Sequence, residues 1–375
     1  MEALINILAI SIPVIALSWL LPERWQMLPI VVATTLYLAW ISPPSLAILT
    51  FTTLSGYYII KLYPSLTTAT LIVIIQVTAI FLFFKLEYGV DSSILKNSIL
   101  PLGLSYYSFR QIHYAIEAYK KQLPKHTITD YISYLFFLPT ILIGPINRFQ
   151  PFLKDLKRRR WHSTLFSLGL ERILYGLAKI TVIGNWLLAF KLNNYIFSIR
   201  ADHPWLADYL ELIRYVGNAY IQFAGYSDVA IGLSMLLGFK ITENFNSPFI
   251  ASNIADFWGR WHISLSEWCR DYVFYPFLGI SRNAVISIIM SMLVLGAWHE
   301  ISVRFLLWGS IHAIAISIWH KYDGSLVHQK LSRFPYFQKG LGIIITIHFV
   351  LLSFVLTKED SLLESLELYK RLFFI

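Results

Sequence analysis

Charge is what this sequence has least of. Lys, Arg, Asp and Glu make up 14% of its 375 residues, against about 25% in soluble domains, so water is not the solvent for most of the chain. Cysteine is nearly absent as well. Cys269 alone excludes an internal disulfide and any multi-cysteine metal site, and it is read as a small apolar packing residue. Several soluble chemistries lack their motifs. His299-Glu300 begins like a zinc-protease helix, but the residue four after His299 is Val303, so the i, i+4 ligand pair is missing and no metal is expected. The sequence carries no Gly-rich phosphate loop and no Gly-x-Ser-x-Gly turn to present a serine nucleophile.

What is abundant is apolar and aromatic: 56% hydrophobic and 16% Phe, Trp and Tyr, with a mean hydropathy of +0.58. Trp and Tyr often sit beside polar breaks, as expected of rings that settle at the headgroup level of a bilayer. The formal net charge is +9. The basic residues fall in short loops between apolar runs, so the charge is read as cytoplasmic loops obeying the positive-inside rule, and no nucleic-acid partner is expected. The N-terminal run to Leu21 lacks a basic n-region and a cleavage site, and is read as a retained first span. Arg24 just after it points the N-terminus outward.

A helix needs about 20 apolar residues to cross a bilayer. Segments of this kind lie near 3–21, 28–41, 45–60, 68–84, 98–118, 130–146, 165–190, 207–238, 284–298, 303–320 and 340–356. The chain therefore reads as a single all-α polytopic membrane domain over 1–375, with roughly nine to eleven membrane-embedded helices, some of them short or re-entrant. No internal repeat or low-complexity tract is evident. Two stretches resist an up-and-down count. Lys120, Lys121 and Lys125 form one positive cluster, and Lys154, Lys157, Arg158, Arg159 and Arg160 another. A single apolar run, Tyr131 to Pro145, separates them, and both clusters want the cytoplasm. Pro139 and Gly144-Pro145 interrupt that run, which predicts a re-entrant element lining a cavity. Asn244 to Phe277 is too polar for a lipid-facing span and too aromatic for a solvated loop. Its spacing suits helical segments carrying Trp258, Trp261, Leu265 and Trp268 on one side.

Ionisable groups inside membrane segments are costly unless paired or wetted, and so mark function or helix locking. Asp228 sits in an otherwise apolar run and is read first as a lock between helices, with substrate contact as the alternative. His299 closes the run from Ala284, which at about 1.5 Å per residue reaches roughly 22 Å, short of the ~30 Å hydrocarbon core. His299 is therefore expected within the membrane, where burial would keep its imidazole neutral and able to accept a hydroxyl proton. His312 and His348 are read as satisfied core residues. His262 is the nearest second polar group in type, suited to orienting the base or steadying an oxyanion. These arguments do not separate a catalytic base from a proton relay in a transporter.

Six blocks of the sequence resemble the bacterial branch of the membrane-bound O-acyltransferase family. They are LPLGLSYYSF from Leu100, IGPINR from Ile143, GYSDVAIG from Gly225, ENFNSPF from Glu243, FWGRWHISLSEWCRDY from Phe257 and LGAWHE from Leu295. The resemblance implies a ring of helices around a central tunnel or funnel, with His299 as the family's catalytic histidine and His262 as its second signature histidine. Asp228, Tyr226, Asn246, Arg260, Trp261 and Trp298 fall inside these blocks and are the candidates for lining the tunnel or touching substrate. Where the branch commonly places glycine after the catalytic histidine, this chain has Glu300. The implied activity is transfer of an acyl group, acetyl among the choices, from a cytoplasmic thioester to a hydroxyl of an extracytoplasmic polysaccharide, lipid or other acceptor. The donor would be a coenzyme A or carrier-protein thioester, used as substrate, with no bound cofactor. Membrane lipids and an extracytoplasmic acyltransferase are the expected partners, and a bacterial cell membrane the expected location. The alternatives are a multi-pass transporter or flippase using buried histidines, or the acyl-export subunit of a two-component system.

Overall fold

The computed structural model describes residues 2–63, 65–89, 102–141 and 143–373, and every regular element among them is helical. The chain divides into two compact units, Met1–Gly176 with Tyr226–Thr242, and Leu177–Gly225 with Glu243–Ile375. Among the described residues, four helical stretches are long and apolar enough to cross a membrane: Pro43–Leu62, Leu66–Leu86, Ser163–Ile199 and Pro335–Lys358. Leu4–Leu20 and Ala284–His299 are shorter apolar helices. Only 17% to 33% of each long span is buried within the protein, and large apolar side chains such as Leu20, Ile75, Leu174 and Phe197 are exposed. This inverts the pattern of a water-soluble surface and suits contact with lipid.

The first unit contains α1 (Glu2–Leu20), α2 (Leu28–Ile41), α3 (Pro43–Leu62), α4 (Leu66–Gly89), α5 (Leu104–Tyr119), α6 (Ile128–Leu135), α7 (Phe149–Lys157) and most of α8 (Ser163–Ala178). The start of the expected 98–118 segment lies outside the described residues. A capping box opens α6: Thr127 accepts from the Asp130 N–H, and Asp130 accepts from the Thr127 N–H. At eight residues, α6 is only about 12 Å long and cannot cross a bilayer. A single 3-10 turn at Leu138–Thr140 follows, and α7 begins at Phe149.

This irregular backbone is buried, and its carbonyls need partners. Arg110, itself buried, donates to Tyr134 O at 3.0 Å and to Thr140 O at 3.0 Å. The Thr34 hydroxyl donates to Phe136 O at 2.8 Å, and the Tyr134 hydroxyl to Asn147 O at 2.6 Å. On leaving the segment the chain has returned to where it entered, because Lys157 Nζ donates to Lys125 O. The two basic clusters therefore lie together, as the re-entrant reading requires.

The second unit begins with a π-helical stretch, Lys179–Leu192, that continues α8 into α9 (Asn193–Ile199). Next comes α10 (Pro204–Leu236), whose last turns belong to the first unit. The aromatic-rich region folds as two short helices, α11 (Ile254–Trp258) and α12 (Ile263–Cys269), followed by a π turn and α13 (Tyr275–Ser281). The chain then runs through α14 (Ala284–His299), α15 (Val303–Asp323), α16 (Leu326–Leu331), α17 (Pro335–Ser353), α18 (Val355–Lys358) and α19 (Leu362–Phe373). Leu212 and Val216 of α10 pack with Leu351, Val355, Leu368 and Leu372 in one apolar cluster.

Helices α14 and α15 approach closely because each carries a glycine at the crossing. A Cβ on Gly296 would stand 2.4 Å from Phe305 O, and one on Gly309 2.5 Å from Met292 O. Only glycine permits this approach, which sets the end of α14, and with it His299, beside the first turns of α15.

Candidate active site

His262 lies between α11 and α12 in a left-handed conformation, φ +44° and ψ +53°, an uncommon choice for a residue with a Cβ. Long-range bonds hold the chain there. The Ile263 N–H donates to Asn244 O at 2.9 Å and the Asn246 N–H to Arg260 O at 3.0 Å, while the Ser264 hydroxyl donates to Asn244 Oδ1 at 2.6 Å. The His262 carbonyl in turn accepts from the N–H groups of Leu265 and Ser266 and so starts α12. Asn244 and Ser264 are buried. The polar residues that make Asn244 to Phe277 unsuitable for lipid thus build the cradle of one histidine.

The His262 ring is buried between aromatic edges. Phe223 is 4.7 Å away and Trp298 5.9 Å, centroid to centroid, both near perpendicular. Neither ring nitrogen has a hydrogen-bond partner among the described residues. Burial, and after it the nearby His299, push the imidazole pKa down to about 3, so the ring is neutral and offers one N–H and one lone pair.

His299 is the last residue of α14. Within the protein its side chain is exposed, because the short helix ends at this residue. One side of the ring is nonetheless fixed. Trp298 lies 4.5 Å away, Phe305 stacks at 5.8 Å and Trp308 meets it edge-on at 5.6 Å. An aromatic chain, His262 to Trp298 to His299, joins the two histidines that the sequence singles out.

His312 has the opposite character. Its Nδ1 accepts from Trp258 Nε1–H at 3.3 Å, and its Nε2 lies 3.0 Å from Ser353 Oγ. The Ser353 hydroxyl already donates to Val350 O, so Nε2 carries the proton. Both nitrogens are used, and the ring packs at a tilt against Trp308, 4.8 Å away. His348 is exposed and not in the core, with its nitrogens near Tyr209 Oη and Ile344 O.

The other candidates scatter. Trp261 is buried against Phe245 and Phe257. Arg260 pairs with Asp256 at 2.6 Å and reaches Asn246 O, and Asn246 itself is exposed. Asp228 and Tyr226 belong to the first unit, where Asp228, 5% exposed, takes Arg172 Nε at 2.6 Å and ties α8 to α10. Tyr226 is half-buried. Sequence reasoning missed Trp308 and Phe305, whose only signal is their place one helical start beyond His299. Cys269 is buried, with its thiol pushed up to about 12 by burial, and is inert.

A family model of the membrane-bound O-acyltransferases matches residues 34–352, a range that holds both His262 and His299. The probable alginate O-acetylase AlgI of Pseudomonas aeruginosa is 28% identical over 385 residues, covering 96% of this chain and 72% of that protein. The teichoic acid D-alanyltransferase of Bacillus subtilis is 33% identical over 279 residues, covering 69% and 68%. The peptidoglycan O-acetyltransferase of Helicobacter pylori is 29% identical over 303 residues, covering 72% and 56%. The chain is an integral membrane O-acyltransferase and belongs to the membrane-bound O-acyltransferase family, MBOAT.

Proposed function

We propose that this enzyme takes an acyl group, of acetyl size or similar, from a cytoplasmic thioester and places it on a hydroxyl of an extracytoplasmic envelope polysaccharide. The observation that carries the reading is the pairing of an exposed His299 with a buried, neutral His262 across Trp298. The names of the relatives support the acceptor class, since alginate, teichoic acid and peptidoglycan are all hydroxyl-bearing envelope polymers.

In this reading His299 accepts the proton of the acceptor hydroxyl as its oxygen attacks the thioester carbonyl. The C–S bond then breaks, and the thiolate leaves with the proton that His299 returns. General base catalysis of this kind is worth about 10² to 10⁴ in rate. The His262 N–H steadies the oxyanion. Trp298 separates the rings, while Trp261, Arg260 and Asn246 shape the wall behind His262. Asp228 and Tyr226 serve the helix frame. The two histidines face a central tunnel within a single domain of nine to eleven membrane-embedded helices in a bacterial cell membrane. A coenzyme A or carrier-protein thioester reaches them from the cytoplasm, and an extracytoplasmic acyltransferase completes transfer where the acceptor is too large to enter.

The test is mass spectrometry of envelope polysaccharide from cells carrying the wild type or His299→Ala. The expected result is an added acyl mass with the wild type and none with the variant, which still inserts in the membrane. Full acylation by His299→Ala would remove the assigned base. Movement of an intact solute with no acyl mass would identify a transporter.

A further inference from the structure

A cavity of about 770 Å³ opens between α15 and α17, away from His262 and His299. Its interior is apolar, walled by Ile311, Ile314, Ile318, Ile345 and Phe349. From Ile311 to Tyr322, both in the lining, α15 rises about 16 Å. That is the depth of one bilayer leaflet, half of the ~30 Å hydrocarbon core. The slot therefore has the length and chemistry of a lipid acyl chain.

Its two ends differ. Phe349 closes one, resting on His312 at 5.0 Å. At the other, Trp319, Tyr322 and His328 pack ring against ring at 5.2 to 5.8 Å, beside Gln338 and the exposed Lys339. The connection around this mouth, residues 321–340, carries Lys321, Lys330, Arg333 and Lys339 against the single acid Asp323, and Asp323 is engaged by His328. Leu326, Val327, Phe334, Tyr336 and Phe337 of the same connection are exposed. Exposed apolar and aromatic residues interleaved with cations are the composition of a segment lying at the headgroup boundary.

We propose that this cavity is a binding site for a phospholipid with an anionic headgroup, one acyl chain filling the slot and the phosphate meeting Lys339 and Gln338 at the mouth. The apolar walls account for the chain, and the one-sided charge of the mouth selects the headgroup. The site does not depend on the acyl-transfer reading, because none of its lining residues is assigned a part in that chemistry.

The test uses the full-length protein in detergent. Phosphatidylglycerol and phosphatidylcholine with identical chains, each bearing a diazirine in one acyl chain, are compared by native mass spectrometry and by mapping the cross-linked peptides. Phosphatidylglycerol is expected to be retained preferentially and to label peptides from 311–322 and 338–349. Lys339→Gln, at an exposed position, should reduce the preference about fivefold, the effect of one basic residue near a lipid surface. Ala315→Trp, which fills the slot, should remove the labelling while the protein elutes and melts as the wild type does. If Ala315→Trp misfolds, Lys339→Gln carries the test alone. Equal retention of the two lipids, labelling spread over other helices, or an unchanged preference in Lys339→Gln would each overturn the proposal.

Discussion

Lys157 Nζ donates to the main-chain carbonyl of Lys125 at 2.8 Å, so the chain between the two basic clusters leaves and returns on one side. The eight-residue α6 is too short to do otherwise. Cysteines introduced at Leu123 and Arg158 should therefore react with a membrane-impermeant maleimide from the same face of sealed vesicles. Labelling from opposite faces would mean that 131–145 is a full span.

His262 and His312 should respond to substitution in opposite ways. His262→Asn keeps a side chain that tolerates the left-handed backbone, so the variant should stay folded while kcat drops about 10²-fold, because the shorter amide withdraws the donor from where the imidazole N–H meets the oxyanion. His312→Phe strands Trp258 Nε1–H, which donates to His312 Nδ1, at a cost of about 1–3 kcal/mol for a buried group left unpaired, while the Ser353 hydroxyl keeps Val350 O. Its melting temperature should fall by more than its kcat accounts for. Thermal melts and single-turnover rates on the same preparations separate the two effects, and a His312→Phe enzyme as stable as the wild type would contradict the assignment.

The buried His262 also makes stability depend on pH. Its folded pKa, about 3, lies below the unfolded value of about 6.5, so between these the unfolded chain binds the extra proton. Stability contributed by the neutral ring is complete above about pH 6.5 and is lost as pH falls toward 3, with a limiting slope of about 1.4 kcal/mol per pH unit. Melts at pH 7.5, 6 and 5 should show a shallower decline for His262→Asn than for the wild type. Parallel declines would mean that His262 is solvated.

The long helices are legible because lipid demands a continuous apolar run, and runs such as 28–41 and 303–320 coincide with α2 and α15 to within a few residues. The break at His262 is not legible. Trp258, Trp261, Leu265 and Trp268 are all buried, and their spacing fits one continuous helix as well as two short ones. Bonds to Asn244 and Asn246, fourteen to twenty positions away in sequence, decide between them. The exposure of His299 was hidden for a related reason. An apolar run shows where a helix ends but not what stands beside its last turn, and here that is fixed by Gly296 meeting Phe305.

Asp228 is the buried member of its ion pair, 5% exposed against 31% for Arg172. Removing the carboxylate takes one charged partner from a guanidinium that retains solvent, while removing the arginine leaves a carboxylate that is harder to hydrate. Asp228→Asn and Arg172→Gln should each lower stability by about 1–3 kcal/mol, less than the 3–5 kcal/mol of a fully buried pair because Arg172 retains solvent, with Arg172→Gln the more damaging. KM for the acceptor should stay unchanged in both. A KM that rises only in Asp228→Asn would move this residue from the helix frame to the substrate path.

Glu300, the residue after His299, is held by its neighbours. Both carboxylate oxygens approach Arg304 Nη2, at 3.1 and 3.3 Å. The Arg304 side chain is only 11% exposed, and it also donates to Leu356 O. Glu300 thus neutralises a largely buried cation in the first turn of α15. Glu300→Gly alone should destabilise the protein by about 1 kcal/mol, a figure held low by the 44% exposure of Glu300. Glu300→Gly combined with Arg304→Leu should recover most of that loss, because the unpaired cation is gone. Melting temperatures of the two single variants and the double variant measure the coupling directly. The acyl-transfer rate separates this role from a catalytic one: if Glu300 orients His299, its loss should lower kcat about 100-fold and shift the acidic limb of the pH profile whether or not Arg304 is present. A rate that follows stability alone leaves His299 fixed by Trp298, Phe305 and Trp308.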